Sequence, residues 1–341
     1  MRVAMYYNNR DVRLEEIPPP TIGSGELLVK VMACGICGSD VMEWYRIKKA
    51  PRVLGHEIAG EIVEVGKGVL EYKINDRVFV SHHVPCNTCR YCLNGHHTVC
   101  DTLRTTNFDP GGFSEYIRVP RINVDRGTFI LPPMISFGEG VFIEPLACVL
   151  RGQRLAKFKP GKSVFVIGSG ISGVLHIALA KASGAGKIIA SDINPFRLNS
   201  AKRFGADEVL SADEVSPERV RQVNHGRLAD LVIVCAGSLP AYRQGLLTVD
   251  RGGTVLCFGL LQPGVDISFP FFDFWNDGIT LLPTYGGAPA DILQAIELIK
   301  THHLPLKEMI THRLPLAETG LGFKFVMEAQ DSIKVVIEPH R

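Results

Sequence analysis

The stretch Val164–Gly184, VFVIGSGISGVLHIALAKASG, decides the fold class of this 341-residue chain. An apolar run ends at Gly168, and Gly168, Gly170 and Gly173 follow in G-x-G-x-x-G spacing before an apolar run of helical length. Between a strand and a helix, such glycines allow a tight turn, close approach of a pyrophosphate to the backbone, and close helix packing. The stretch therefore predicts a dinucleotide-binding unit, and Ile171, inside the turn, is counted with that site.

An acidic residue follows at the distance that this interpretation requires. Asp192 ends the next apolar run, KIIASD, about 20 residues after Gly173, which is the usual offset. Its carboxylate would accept hydrogen bonds from both ribose hydroxyls and would repel a 2′-phosphate, so we favour NAD over NADP. Two alternatives stay open. The glycines could serve packing alone, with Asp192 capping a helix, or the sheet could bind S-adenosylmethionine.

The chain is long enough for two domains. Between residues 151 and 285, buried-type apolar strands alternate with helical stretches, which predicts a parallel sheet with crossover helices. Residues 1–150 carry short β-type runs separated by Gly, Pro, Asn and Asp, and residues 286–341 resemble them. We therefore predict one β-rich domain from 1–150 and 286–341, with the domain 151–285 inserted into it.

Four of the nine cysteines lie close together in the run PCNTCRYCLNGHHTVC: Cys86, Cys89, Cys92 and Cys100. Four thiolates can complete a tetrahedral zinc site with no open position, which is typical of a structural site. An iron–sulfur cluster uses the same ligands and remains an alternative. We predict a structural zinc lobe over about residues 82–103. Apart from Cys37, the other cysteines are expected to pack as small apolar residues: Cys34, Cys148, Cys235 and Cys257.

A second set of metal-type residues is dispersed along the chain. Cys37 lies in GICGSD, His56 and Glu57 lie in GHEIAGEI, and Glu144 lies in FIEPLACVL. One sulfur, one imidazole and carboxylate oxygens leave room for water or substrate, as a catalytic zinc requires. By spacing alone, the same residues also suit an ordinary His–Glu pair and a buried cysteine.

These motifs together resemble the zinc-dependent medium-chain dehydrogenases, the zinc-containing alcohol dehydrogenase superfamily, and the resemblance covers the whole chain. GICGSD, GHEIAGEIVEVG, the cysteine run, IEPLACVL and GSGISG occur in that family's order. Glu144 in its IEPL context is similar to the sorbitol (polyol) and threonine dehydrogenase branch. The resemblance implies an α/β fold with a GroES-like catalytic domain, an inserted doubly wound Rossmann domain and an active site in the cleft between them.

The same resemblance implies roles for single residues. It makes Cys37 and His56 firm ligands of a catalytic zinc, with Glu57 and Glu144 as alternating ones. Asp40 resembles the carboxylate that orients the ligand histidine and raises its basicity. It implies two zinc ions per chain, one catalytic and one structural, together with NAD(H).

Ser39 resembles the hydroxyl that accepts the substrate proton, and Arg197 resembles the residue that packs over the adenine side of NAD. Relatives in the polyol branch often carry a histidine three residues after that hydroxyl, and it passes the proton to solvent. Here that position is Met42. The relay is therefore expected to pass through water, a ribose hydroxyl or another side chain.

The resemblance implies an oxidoreductase that reversibly oxidises a secondary alcohol, such as a polyol, sugar or amino alcohol, to a ketone by hydride transfer to NAD. One alternative is a dehydrogenase for a phosphorylated or carboxylated sugar alcohol. Another, from a different class, is a zinc-bearing redox-sensing regulatory protein. The cations Arg46, Lys48 and Lys49 could meet a phosphate or carboxylate, but we expect a solvated loop.

Composition limits the partners. Lys and Arg total 37 against 35 for Asp and Glu, a formal charge of +2, so bulk charge does not favour nucleic acid. No apolar run approaches the roughly 20 residues of a membrane helix, and no secretory pattern opens the chain, so we expect a cytoplasmic protein without a membrane partner. The aromatic run FPFFDFW at 269–275 predicts a subunit interface in a homodimer or homotetramer.

Overall fold

The computed structural model describes residues 1–341 and separates into two compact units. The first unit comprises residues 1–147, 287–302 and 306–341. The second comprises residues 148–286 and 303–305. The first unit is therefore discontinuous in sequence, because its C-terminal part follows the second unit along the chain.

A mainly antiparallel sheet of seven strands forms the centre of the first unit. In spatial order its strands are Ile310–Pro315, Lys334–Glu338, Leu27–Gly35, Glu57–Val65, Arg77–Ser81 and Thr128–Ile130, while Tyr116–Val119 also pairs with Leu27–Gly35. A small separate sheet contains Asp11–Glu16, Arg2–Asn8 and Arg52–Val53. The C-terminal strands thus complete the sheet that the N-terminal strands begin.

The central strand Leu27–Gly35 shows why this sequence forms a sheet. Leu27, Val29 and Val31 are fully buried, and the residues between them are partly exposed. This alternation is expected for a strand with one face on the core. From Ala33 to Gly35 every residue is buried, so both faces are covered where the strand approaches the predicted ligand Cys37.

Strand register places three segments side by side. Gly35 lies opposite Glu57, and Glu57 lies opposite Ser81 on the next strand. These pairs are at the ends of their strands. Residues just beyond those ends therefore come close together although they are far apart in sequence: Cys37, His56 and His82.

The second unit contains a parallel sheet of six strands. In spatial order they are Glu208–Ser211, Lys187–Asp192, Ser163–Ile167, Ala229–Val234, Val249–Cys257 and Thr280–Pro283. All five residues of Ser163–Ile167 are buried, as expected for a strand covered on both faces. The strand order reverses at this strand, so its carboxyl end lies where open α/β sheets bind ligands.

Helices connect the strands of both units. Those of the first unit are Glu43–Arg46, Arg90–Leu93, Asp101–Thr105, Arg121–Gly127, Phe137–Gly140, Pro289–Lys300, Leu306–Met309 and Thr319–Glu328. Helix Ile143–Leu155 runs from the first unit into the second, which also contains Ile171–Ala182, Pro195–Arg203, Pro217–Val223, Leu239–Thr248 and Phe271–Asn276. Three 3₁₀ turns cover Ile47–Lys49, His97–Val99 and Leu316–Glu318.

The predicted α/β class is confirmed, with a β-rich part and a part made of parallel strands and crossover helices. None of these helices combines the length and the apolar character that crossing a bilayer demands.

Candidate active site and metal centres

The four cysteines of the lobe meet in one sulfur cluster. Their Sγ atoms all lie within 4.8 Å of one another. The Cys86 and Cys92 sulfurs are 4.0 Å apart, and the Cys89 and Cys92 sulfurs are 3.6 Å apart. Four sulfurs placed about 2.3 Å from a tetrahedral zinc ion would be about 3.8 Å apart. The cluster therefore fits a zinc ion without rearrangement, as the cysteine spacing predicts.

Backbone amides point at these sulfurs. Those of Thr88 and Cys89 donate to the Cys86 sulfur at 3.4 and 3.2 Å, and that of Cys86 donates to the Cys100 sulfur at 3.4 Å. Hydrogen bonds, with Thr88 as the leading donor, lower the pKa of Cys86 to about 5. Burial instead raises the pKa of Cys92 to about 12. A cation must therefore displace protons from this cluster as it binds.

A second cluster brings together Cys37, His56 and Glu57, whose possible ligand atoms lie within 4.8 Å of one another. The register that places Gly35, Glu57 and Ser81 side by side brings these groups together. One sulfur, one imidazole and one carboxylate make fewer ligands than the closed cysteine cluster, so a tetrahedral ion would keep an open position. This donor set fits the zinc ion of a catalytic site.

Asp40 orients the His56 ring by facing its Nδ1 atom. It is fully buried, its Oδ1 lies 3.4 Å from His56 Nδ1, and its Oδ2 accepts a hydrogen bond from the Cys37 amide at 3.1 Å. Burial alone would lower the pKa of His56, but the charges of Asp40 and Cys37 outweigh it and raise that pKa well above its usual range. The surroundings of His56 thus favour a positive charge at this position. With Nδ1 facing Asp40, Nε2 is left to bind a metal.

Lys334 is a residue of this site that the sequence analysis missed. Its Nζ forms a salt bridge with Glu57, both side chains are buried, and it also donates to the Ile36 carbonyl at 3.3 Å. Burial alone would lower the pKa of Lys334, yet the charges of Glu57 and Cys37 raise it. The lysine is therefore a cation. The available signal was a lysine directly before the apolar run VVI of the strand KVVIE.

His82 and His83 also lie beside the cluster, although their sequence positions predict that they belong to the cysteine lobe. The His82 ring centroid is 4.8 Å from that of His56 and 3.8 Å from that of His83. Burial lowers the pKa of His82 well below its usual range and that of His83 to about 4. Both rings are therefore neutral at physiological pH. The buried Nδ1 of His82 has no hydrogen-bond partner.

Ser39 lies at the edge of the cluster, with its Oγ and its amide each 3.4 Å from the Cys37 sulfur. Lys48 and Lys49 are exposed, as expected of a solvated loop, but Arg46 differs from that expectation. Its guanidinium folds back and donates to the Ser39 carbonyl and hydroxyl, both at 2.9 Å. The loop leaves polar groups there that Arg46 satisfies.

Glu144 is not among the residues whose ligand atoms meet within 4.8 Å. It occupies the first turn of helix Ile143–Leu155, and its charge contributes to raising the pKa of Lys334. Its role as an alternating ligand stays a prediction.

The glycine turn of the second unit is shaped as the sequence predicts. Gly168 has a φ of +93°, and a Cβ there would lie 2.8 Å from the Ala236 amide nitrogen. A Cβ at Gly173 would overlap the Gly168 carbonyl. Helix Ile171–Ala182 begins directly after Gly170, so its free amides point at the turn, where a pyrophosphate would bind.

Asp192 is anchored beside this turn and is not the helix cap. Its Oδ2 accepts from the Ser169 amide at 2.7 Å and its Oδ1 from the Asn194 amide at 2.9 Å, while Asn194 caps the following helix. Arg197 has its guanidinium carbon 3.6 Å from where a Cβ of Gly170 would lie. Its buried Nε has no hydrogen-bond partner, which fits a cradle for a dinucleotide.

Comparison with known proteins agrees with this geometry. The model of the alcohol dehydrogenase GroES-like domain matches residues 23–126, and that of the zinc-binding dehydrogenase family matches residues 173–301. Sorbitol dehydrogenase of Bacillus subtilis is 31% identical, covering 100% of this chain and 98% of its own. L-threonine 3-dehydrogenase of Bacillus velezensis is 34% identical, covering 96% of this chain and 95% of its own.

Solved structures share the fold. A zinc-binding dehydrogenase from Sinorhizobium meliloti 1021, bound to NADP, superposes with a TM-score of 0.88 at 28% identity, covering 99% of both chains. The resemblance read from the motifs is thereby confirmed. The chain belongs to the zinc-dependent medium-chain dehydrogenases, in their polyol and threonine dehydrogenase branch, and is a zinc-dependent, nicotinamide-linked alcohol dehydrogenase that acts on a small alcohol.

Proposed function

We propose that Cys37, His56 and Glu57 hold the catalytic zinc and that this enzyme oxidises a polyol, sugar or amino alcohol to a ketone with NAD. The observation that carries the proposal is the convergence of these three ligand groups within 4.8 Å, with the Ser39 hydroxyl 3.4 Å from the Cys37 sulfur. An open ligand position beside a hydroxyl group is what alcohol oxidation needs.

Bound zinc supplies Lewis acidity that lowers the pKa of an alcohol hydroxyl, and bound NAD supplies the hydride acceptor. The chain's own residues prepare the site for this chemistry. Asp40 faces His56 Nδ1 and so fixes the tautomer that leaves Nε2 free for a ligand bond. Ser39 presents a hydroxyl at the edge of the cluster, where it can exchange a hydrogen bond with a substrate hydroxyl.

Glu57 can alternate between two cations. In this structure its carboxylate pairs with Lys334, yet it also lies within ligand distance of the Cys37 and His56 group. Because both partners are buried, the carboxylate cannot be neutralised by solvent and must stay beside one cation or the other. We propose that it moves between Lys334 and the metal when the substrate position is emptied and filled.

The second unit supports NAD as the preferred cofactor. Asp192 ends the second strand of the dinucleotide fold, and two backbone amides hold its carboxylate beside the glycine turn. A fixed negative charge there accepts hydrogen bonds from ribose hydroxyls and repels a 2′-phosphate.

An exposed aromatic surface supports an oligomer. Phe271, Phe272 and Trp275 are 71%, 70% and 70% exposed. They precede the strand Thr280–Pro283, which lies at the edge of the six-stranded sheet and pairs on one side only. An unpaired strand beside exposed aromatic rings is suited to pairing with a second copy of itself. We propose a homodimer or homotetramer formed through this surface.

The thiol chemistry supports a cytoplasmic location. None of the nine cysteines forms a disulfide bond, and four of them form the sulfur cluster. Zinc thiolate sites persist where the compartment keeps thiols reduced. We therefore propose that the enzyme works in the cytoplasm.

Replacing Cys37 or His56 with alanine tests the catalytic zinc. We expect turnover of a panel of sugar alcohols, amino alcohols and phosphorylated or carboxylated sugar alcohols to fall by at least about 10³-fold, since Lewis-acid assistance is lost. Metal analysis should show one zinc per chain in place of two, and NAD affinity should stay within about twofold. His303→Ala, at an exposed histidine, is the control. Near-native rates in the Cys37 and His56 variants would contradict the assignment.

Cys89→Ser tests the structural site. Because the lobe folds around its metal, the free energy of unfolding should drop by about 4 kcal/mol. Zinc content should fall by one per chain while the activity per folded molecule is retained. Chemical denaturation and metal analysis measure both effects, with the exposed Arg90→Ala of the same lobe as control. An unchanged unfolding midpoint would mean that the cysteine cluster holds no metal.

Asp192→Asn removes the charge of the side chain and one of its two acceptors for backbone amides, and so tests the cofactor preference. Loss of charge-assisted hydrogen bonds to the ribose should raise the KM for NAD roughly tenfold. The ratio of kcat/KM for NAD over NADP should fall by a similar factor, because repulsion of the 2′-phosphate is lost. Asp266→Asn, at an exposed carboxylate, should change neither. A native enzyme that prefers NADP would refute the proposal.

The double substitution Phe271→Asp, Trp275→Asp tests the interface. Light scattering of the native protein at micromolar concentration should give a multiple of 37.4 kDa. The variant should give the monomer mass, because a charged surface cannot be desolvated against its copy. Leu70→Asp, at a residue 91% exposed elsewhere, should leave the native mass unchanged. A monomeric native protein would contradict the proposed subunit interface.

A further inference from the structure

Arg46 reaches the catalytic loop from the end of the short helix Glu43–Arg46. Its Nε donates to the Ser39 carbonyl, and its Nη2 donates to the Ser39 hydroxyl, both at 2.9 Å. The same Nη2 lies 3.4 Å from Asp40 Oδ1. The side chain is only 18% exposed, and its guanidinium lies 4.7 Å from the Tyr45 ring centroid. Arg46 is therefore built into the site.

The hydrogen bonds around Ser39 Oγ define which way its proton points. A serine hydroxyl has one proton to donate and two lone pairs that accept. Arg46 occupies one lone pair, since a guanidinium only donates. The proton is directed at the Cys37 sulfur, 3.4 Å away. One lone pair remains open. The hydroxyl is thus oriented as a donor toward the ligand cluster.

Arg46 cannot act as a base in a proton relay. A guanidinium has no acceptor atom and stays protonated at any physiological pH, so it cannot take a proton from Ser39. Met42, three residues after Ser39, likewise has no group that takes a proton. Alcohol oxidation releases one proton to water and one hydride to NAD, and Arg46 takes neither.

We propose that Arg46 is a positioning residue that holds the Ser39 hydroxyl as a hydrogen-bond donor aimed at the ligand cluster. In that orientation the hydroxyl donates to the substrate oxygen as negative charge develops there. The inference rests on the proposed function. A cation bonded to the hydroxyl oxygen polarises the O–H bond and strengthens its donation. When the bound alcohol loses its proton, donation to the oxygen that becomes anionic is worth more than donation to the neutral hydroxyl, so it would raise the fraction of bound substrate that is ready to give up hydride.

The consequence is a specific kinetic signature. An interaction that strengthens only after the substrate has bound affects kcat, whereas one made equally to bound substrate and transition state affects KM. Arg46→Gln keeps a donor but removes the charge, so kcat should fall about tenfold with KM within about twofold. Arg46→Lys keeps a positive charge and should recover part of the loss. Lys48→Gln, at an exposed cation of the same segment, should behave as the native enzyme.

A double-mutant cycle shows whether Arg46 acts through Ser39. Arg46→Gln should cost about tenfold in the native background but less than about twofold in the Ser39→Ala background, because coupled residues are not additive. Equal losses in both backgrounds would overturn the inference. A rise in KM for phosphorylated or carboxylated substrates alone, with kcat unchanged, would also overturn it, since Arg46 would then be a substrate anchor.

Two further measurements do not depend on turnover. A crystal structure of the zinc-loaded Arg46→Gln protein should show Ser39 Oγ turned away from the Cys37 sulfur, whereas an unchanged Ser39 rotamer would refute the proposal. Zinc content should stay at two per chain, and loss of zinc would instead show that Arg46 supports the metal ligands. If the zinc-loaded native enzyme oxidises no alcohol of the panel, the proposed function fails, while the rotamer of Ser39 still tests Arg46.

Discussion

The buried ion pair between Glu57 and Lys334 is the interaction on which the catalytic unit depends. It joins residues 277 positions apart, one on the second central strand and one on the strand that closes the chain. Removing either side chain by mutation leaves the other as an uncompensated buried charge, at a cost of about 3–5 kcal/mol. Gly35 is part of the same arrangement, because a Cβ there would lie 2.7 Å from the Lys334 side chain. The C-terminal segment must therefore return to the first unit for the site to form.

Features with a local cause could be predicted from the sequence. The cysteine cluster, the glycine turn and the acid that follows it are each defined by spacing within one or two elements. Short loops and the strand–helix alternation then place these groups with little freedom. The structure also separates two interpretations of Asp192 that the sequence left open. Asn194 caps the helix, which frees the Asp192 carboxylate to hold the glycine turn.

What the sequence analysis missed depends on contacts between distant segments. His82 and Lys334 reach the site only because the strand register brings Gly35, Glu57 and Ser81 side by side. The role of Arg46 could not be predicted for another reason. A run of cations after an aromatic pair is typical of a solvated loop. The contacts of Arg46 with Ser39 and Asp40 depend on the backbone of the loop, which turns a carbonyl toward it. No spacing rule describes that geometry.

The charges of the site form a balance that explains its chemistry. Two buried carboxylates, on Asp40 and Glu57, are matched by the cations of Arg46 and Lys334. The neighbouring rings of His82 and His83 add no charge, because burial keeps them neutral. Glu144 adds a further carboxylate, whose charge acts on Lys334. A divalent ion held by the Cys37 thiolate and a neutral His56 would add one positive charge net of that thiolate. While Glu57 stays paired with Lys334, a bound zinc ion would face the substrate hydroxyl with its charge only partly offset, which would favour loss of the hydroxyl proton.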